Sequence, residues 1–237
     1  MNGVTPALPR LGTPAPEFEA ETTHGRLRLA DFRGGWVILF SHPADFTPVC
    51  TTEFVELARV APALRAEGVE LLGLSIDSIH AHLAWLDAIE REFGQAIPFP
   101  VIADHDRRVA QAYGMIMPGD SGTETSRCVF FIDPGGIVRA MIYYPLTTGR
   151  NVEEIVRVVR ALITTDRHQV ATPANWRPGG DVILPTPRTA EDAAARGGGG
   201  TPFWYTVTPA PPDGPLDDLV EGPVDGPVVR PGDDREV

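Results

Sequence analysis

The chain contains no lysine, and all 20 of its basic residues are arginine. That excludes every mechanism that needs an ε-amino group, from Schiff-base catalysis to the lysine of a Walker-type phosphate loop. Cysteine is almost as scarce: Cys50 and Cys128 are the only two among 237 residues. A disulfide-stapled secreted scaffold and a Cys-x-x-Cys metal site are therefore both excluded. No apolar run approaches the roughly 18 residues that cross a bilayer. Met1 to Arg10 has neither the basic nor the apolar region of a secretion signal, so a cytoplasmic protein is expected. Positive charge is also short. The formal net charge is −12, which argues against nucleic-acid and anionic-membrane partners, since both require a basic surface. The excess is uneven: from Pro209 to Val237 eight acidic residues face only Arg230 and Arg235, a net of −6.

What is present is a chain that is 43% hydrophobic, enough for one core of about 160 to 190 residues plus an appendage. Strands and helices alternate from Phe18 to Thr165. Phe18 to Thr23 and Arg26 to Leu29 flank His24-Gly25 as a tight hairpin. Trp36 to Ser41 and Val69 to Ser75 are short apolar runs that fit buried strands, with a helix from Pro48 to Ala66 between them, ended by Gly68. Ile79 to Phe93 has helical spacing, with Leu83, Leu86, Ile89 and Phe93 on its expected apolar stripe. A strand at Phe99 to Ile102 and a short helix at Asp106 to Tyr113 follow. Val129 to Ile132 and Ile137 to Tyr143 form a hairpin across Asp133-Pro134-Gly135-Gly136, and a last helix covers Val152 to Thr165. The sum is an α/β fold, a mixed sheet with helices on both faces.

Beyond Val170 prolines accumulate and periodicity fades, which reads as an extended arm. Gly197 to Gly200 is expected to be a flexible joint, and the acidic, Pro-rich stretch beyond Pro209 to be disordered. Phe203-Trp204-Tyr205 is an aromatic triplet in a polar arm, best buried by a second subunit. The expected organisation is a domain over 1–169, an arm over 170–208 and a tail over 209–237.

The segment richest in chemistry is Ser41-His42-Pro43-Ala44-Asp45-Phe46-Thr47-Pro48-Val49-Cys50-Thr51-Thr52-Glu53, which follows a buried strand and opens a helix. Thr47 fits the N-cap, Pro48 the first helical position and Cys50 the third, so the Thr47 hydroxyl is expected near the N–H and the sulfur of Cys50. Unpaired N–H groups and the positive end of the helix dipole favour a thiolate there. A thiolate attacks the O–O bond of a peroxide, and the leaving oxygen needs donors aimed at its developing charge. Thr47 and the backbone N–H groups of Val49 and Cys50 are candidates, with Arg127 as a fixed positive charge.

These residues closely resemble the peroxiredoxins, in the branch of the mammalian one-cysteine enzyme and the long archaeal thioredoxin peroxidases. The likeness extends to Ser126-Arg127, to Tyr144-Pro145-Leu146-Thr147-Thr148-Gly149-Arg150-Asn151, and to Ala171-Thr172-Pro173-Ala174-Asn175-Trp176. The resemblance implies a thioredoxin-like fold with Cys50 as the peroxidatic cysteine. Pro43 would shield it, Thr47 and Arg127 would orient the peroxide, and His42, Glu53 and Arg150 would support them. It implies an antioxidant peroxidase for hydrogen peroxide and organic hydroperoxides, cycling through a sulfenic acid and reduced by thioredoxin or a low-molecular-weight thiol. No cofactor or metal is expected, and a homodimer or ring of dimers is. A peroxide sensor or holdase chaperone on the same fold is the alternative.

Two departures shape the expectation. The arm lacks the additional cysteines of the archaeal relatives, and strand alternation turns Cys128 away from Arg127, so Cys128 is expected in the core and an external thiol as the resolving group. Gly35 stands where the mammalian one-cysteine enzyme has the serine of its phospholipase activity, which is therefore not expected here. His42 either hydrogen bonds near the sulfur or packs the strand end. His80 and His82, two apart on a helix, are expected on the solvated surface. Asp104, His105 and Asp106 are expected to cap a helix, and Gly119 to Gly122 to form a mobile loop.

Overall fold

A computed structural model describes residues 8–196 and 202–211. They fall into two compact units, one up to Val152 and the other from Glu153 onward. The first contains a seven-stranded mixed sheet. In chain order its strands are β1 (Glu19–Thr22), β2 (Gly25–Arg28), β3 (Trp36–Ser41), β4 (Val69–Ser75), β5 (Val101–Ala103), β6 (Arg127–Ile132) and β7 (Val138–Tyr144). They lie in the order β2-β1-β5-β4-β3-β6-β7. β3, β4 and β5 run parallel, and β6 lies antiparallel to β3 and to β7. The apolar runs recognisable in sequence are the central strands, and β3 is buried at all six positions, as a strand covered on both faces must be.

Helices α1 (Pro48–Ala66), α2 (Ile79–Phe93) and α3 (Arg108–Ala112) complete this unit. Strand alternation splits its core in two. Val37 and Leu39 of β3, Leu72 and Leu74 of β4, and Cys128 and Phe130 of β6 pack on one side with Val109 and Ala110 of α3. Phe40, one step from Leu39, points to the other side and meets Phe54 of α1 and Phe99, each at 5.6 Å between ring centres. Trp85 of α2 lies 4.6 Å from Phe54, so α1 and α2 share this aromatic layer. Edge-to-face pairs of this kind add about 0.5–1.5 kcal/mol each beyond the area they bury.

Three expectations need correction. The hairpin turn is Thr23-His24, one residue earlier than expected, because Gly25 supplies the positive φ (95°) that pairs it with Thr22 as the first residue of β2. The buried stripe of α2 is His82, Trp85 and Ile89, while Leu83 is 49% exposed. His82 is thus a core residue, whereas His80 is exposed as expected. A histidine hydrogen-bonded at both ring nitrogens is as buriable as an apolar side chain, and hydrophobic spacing alone does not register that. In the loop around Gly119 the Asp120 carboxylate accepts from the Ser126 hydroxyl at 2.7 Å and from the Leu146 N–H at 3.3 Å.

Asp104 caps α3 as expected, accepting from the N–H groups of Val109 and Ala110 at 3.1 and 2.7 Å. The second unit contains α4 (Val152–His168) from its second residue on, β8 (Val182–Ile183), α5 (Ala190–Arg196) and β9 (Val207–Thr208). Within it β8 pairs with β9, and Trp176 and Val182 bury themselves with Ala161 and Val170, so the proline-rich arm has a small core of its own. Among the described residues no helix is long and apolar enough to cross a membrane. The glycine joint at 197–200 and the tail from 212 lie outside the described residues.

Candidate active site

The site forms where β3 ends and α1 begins. Helix geometry leaves the N–H groups of its first turn without intrahelical acceptors, and Pro48 at the first position has no N–H to leave. The N–H groups of Val49 and Cys50 therefore open toward the end of the helix. Cys50 itself is fully buried. Thr47 has the extended backbone of an N-cap (φ −107°, ψ 145°), but its hydroxyl makes no capping bond. It donates instead to the carbonyl of Ala44 at 2.9 Å. Thr47 is thus the expected N-cap by position, without a side-chain bond to the helix N–H groups. A hydroxyl has one proton, here given to a loop carbonyl, and its oxygen lone pairs remain available to a bound molecule.

The charged part of the site comes from β6, α1 and the segment after β7. Arg127 Nη1 donates to Cys50 Sγ at 3.3 Å and to Glu53 Oε2 at 2.7 Å. Its Nε and Nη2 donate to the Leu146 carbonyl at 2.9 and 2.8 Å, which fixes the guanidinium plane. Arg150 clasps Glu53 from the other side, with Nε on Oε1 at 3.0 Å, Nη2 on Oε2 at 2.7 Å and its own N–H on Oε1 at 2.9 Å. Arg150 Nη1 also reaches the carbonyl of Ser41, at 2.8 Å, and its guanidinium lies over the Phe40 ring.

Two guanidiniums against one carboxylate leave a buried surplus of one positive charge, and Arg127 directs it at the sulfur. Burial alone would push the Glu53 carboxyl up, but Arg150 and then Arg127 hold it below the usual carboxylate range.

Cys128 is in another environment. It is fully buried among Leu39, Leu72 and Phe130, and burial pushes its thiol up to about 12. Strand alternation thus puts Arg127 and Cys128 on the two sides expected of them. Pro43 is buried in the loop between β3 and α1.

The AhpC/TSA family model matches residues 11–141, and the model for the C-terminal domain of 1-Cys peroxiredoxin matches residues 161–199. The chain is 55% identical over 201 residues to a peroxiredoxin of Aquifex aeolicus, covering 80% of this chain and 90% of that one. The chain is a peroxiredoxin.

Solved structures agree with the assignment. A peroxiredoxin 6 of Arenicola marina superposes with a TM-score of 0.77 at 36% identity, covering 86% of this chain and 99% of its own. A yeast mitochondrial 1-Cys peroxiredoxin does so with 0.74 at 37% identity, covering 84% and 99%. The reaction class follows: this peroxiredoxin is a thiol-dependent peroxidase with a thioredoxin-like fold, a peroxide as substrate and a thiol as reductant.

The sequence reading left out a buried chain of polar groups behind the loop between β3 and α1. His42 Nε2 and Asp45 Oδ1 are 2.8 Å apart, and His82 Nδ1 and Asp45 Oδ2 2.7 Å. The Asp45 N–H donates to Asp77 at 3.0 Å, and the Thr125 hydroxyl to the His42 carbonyl at 2.7 Å. His42 thus bonds to Asp45 while its ring packs on Phe54 and Trp85, at 4.8 and 5.1 Å between centres. The one signal in the sequence was position: Asp45 lies inside the motif, and His82 lies three residues before Trp85.

Proposed function

We propose that this peroxiredoxin works as a one-cysteine enzyme. The Cys50 thiolate attacks one oxygen of the hydroperoxide and the O–O bond breaks. The sulfur keeps that oxygen as a sulfenic acid, and the other leaves as an alkoxide or hydroxide that takes up a proton. Arg127, the Thr47 oxygen and the N–H groups of Val49 and Cys50 would hold the peroxide oxygens and the developing charge, with Pro43 walling off water. One thiol then attacks the sulfenic sulfur, forming a mixed disulfide and releasing water, and a second thiol returns Cys50 to the reduced state. Supporting this assignment above all is the contact of Arg127 Nη1 with Cys50 Sγ at 3.3 Å.

An external resolving thiol is supported by Cys128, whose place in the core gives it neither exposure nor acidity. The yeast mitochondrial 1-Cys peroxiredoxin has its thiol resolved via glutathione and thioredoxin systems, and we take thioredoxin or a low-molecular-weight thiol as the reductant here. A reducing compartment such as the cytoplasm suits that cycle. A homodimer or ring of dimers is supported by Phe203, Trp204 and Tyr205, which are 45%, 58% and 45% exposed. Intact-mass analysis after one equivalent of hydrogen peroxide tests the assignment. A sulfenic acid trapped at Cys50 is expected, and a Cys50–Cys128 disulfide would overturn it.

A further inference from the structure

Counting protons along the buried chain singles out one residue. His82 Nε2 faces the carbonyl of Ile102 at 3.1 Å, and a carbonyl only accepts, so this nitrogen carries a proton. His82 Nδ1 faces Asp45 Oδ2 at 2.7 Å. His42 Nε2 faces Asp45 Oδ1 at 2.8 Å and also donates. A carboxylate accepting from both rings satisfies every contact, and it requires both His82 nitrogens to be protonated. His42 Nδ1 is buried and has no partner, which suits a bare lone pair far better than a stranded N–H. With Asp45 ionised, the cluster is a carboxylate, a neutral His42 and an imidazolium at His82. Burial pushes His42 down despite the neighbouring Asp45, and Asp45 lies below the usual carboxylate range: burial alone would raise it, but the bonds from His42 and then His82 outweigh that. Although three metal-ligand side chains meet here, contacts of 2.7 and 2.8 Å are hydrogen bonds.

A second observation lies one residue along. Phe46 has φ 56°, in the left-handed region that a bulky side chain avoids, and it is 61% exposed. Such a conformation is strained and persists only where its neighbours are pinned. On one side Thr47 is bound to Ala44 and enters α1. On the other Asp45 is pinned by His42, His82 and Asp77.

We propose that His82 is a positioning residue for the peroxidase reaction: as a buried imidazolium it clamps the Asp45 carboxylate, and through Asp45 it holds the 42–47 loop and keeps His42 in the Nε2–H form. The proposal rests on the thiol-peroxidase reading of the same site. The titratable groups facing the clamp are Asp45 and His42 from the loop and Asp77 from the turn after β4. Phe54 of α1 packs on the His42 ring, and β5 contributes the neutral Ile102 carbonyl.

Heteronuclear NMR of the histidine ring nitrogens, on the reduced full-length protein at neutral pH, tests the proton count directly. Protons on both nitrogens of His82 and only on Nε2 of His42 are expected. A bare nitrogen on His82, or a doubly protonated His42, overturns the proposal. The rate constant for peroxide tests the positioning. His82→Leu is expected to lower it on the order of a hundredfold, as for a catalytic group misplaced by about 1 Å. His82→Asn, which keeps an uncharged donor toward Asp45, is expected to recover much of that loss. A folded His82→Leu protein with wild-type rate overturns it as well. If wild-type protein does not turn over peroxide, the peroxidase reading itself fails, while the NMR result still decides the protonation of the clamp.

Discussion

Glu53 makes no hydrogen bond to the Cys50 sulfur and yet sets the charge around it. It neutralises one of two buried guanidiniums and leaves the other directed at Sγ through Arg127. Glu53→Gln removes the carboxylate that Arg127 and Arg150 share, and breaking a buried pair in this way is expected to cost about 3–5 kcal/mol in a denaturant titration. The pH dependence has a definite sign. A carboxylate held below its unfolded value of about 4.3 stabilises the fold at all higher pH and loses that contribution as the pH falls through the lower folded value. The gap between wild type and Glu53→Gln is therefore expected to be full at neutral pH and to close on acidification. An equal gap at every pH would contradict the ion-pair account. Arg127→Met is expected to slow oxidation of Cys50 by about 10²–10³-fold in stopped-flow measurements, the usual loss when a preorganised donor is removed.

At the scale of the element, α1 presents its first turn to the chemistry and its middle to the aromatic layer. Phe54, one turn below Cys50, meets Phe40, Phe99, Trp85 and the His42 ring. Phe54→Ala is expected to destabilise the protein by about 3–5 kcal/mol, with a matching drop in thermal midpoint and a slower reaction with peroxide because the helix start loses its support. Local signals account for what the sequence disclosed. Apolar runs marked β3, β4 and β6, and the cap–proline–cysteine spacing placed the start of α1 and the sulfur within it. The direction of the Thr47 hydroxyl was hidden, because a single proton chooses among nearby acceptors that only the folded loop defines. The bond between Asp45 and His82 was hidden too, since it joins residues 37 apart. Periodicity scores histidine as polar, and the partners that allow it inside belong to other elements.

For the whole molecule, the exposed aromatic triplet of the arm carries the expectation of self-association. Trp204 and Tyr205 lie 6.0 Å apart between ring centres, with more than two-fifths of each exposed. Sedimentation velocity is expected to show a dimer or larger ring for wild type and a smaller species for Trp204→Arg, and an unchanged distribution would place the subunit contact elsewhere. The division of labour between the two cysteines belongs to this scale too, because it decides whether the molecule completes its cycle alone or needs another thiol. The most direct measurement is hydrogen peroxide consumption by Cys50→Ser and Cys128→Ser side by side, with dithiothreitol as reductant. We predict no turnover from the first and near wild-type turnover from the second. Turnover by Cys50→Ser, or its loss in a folded Cys128→Ser protein, would contradict the assignment of the chemistry to the sulfur beside Arg127.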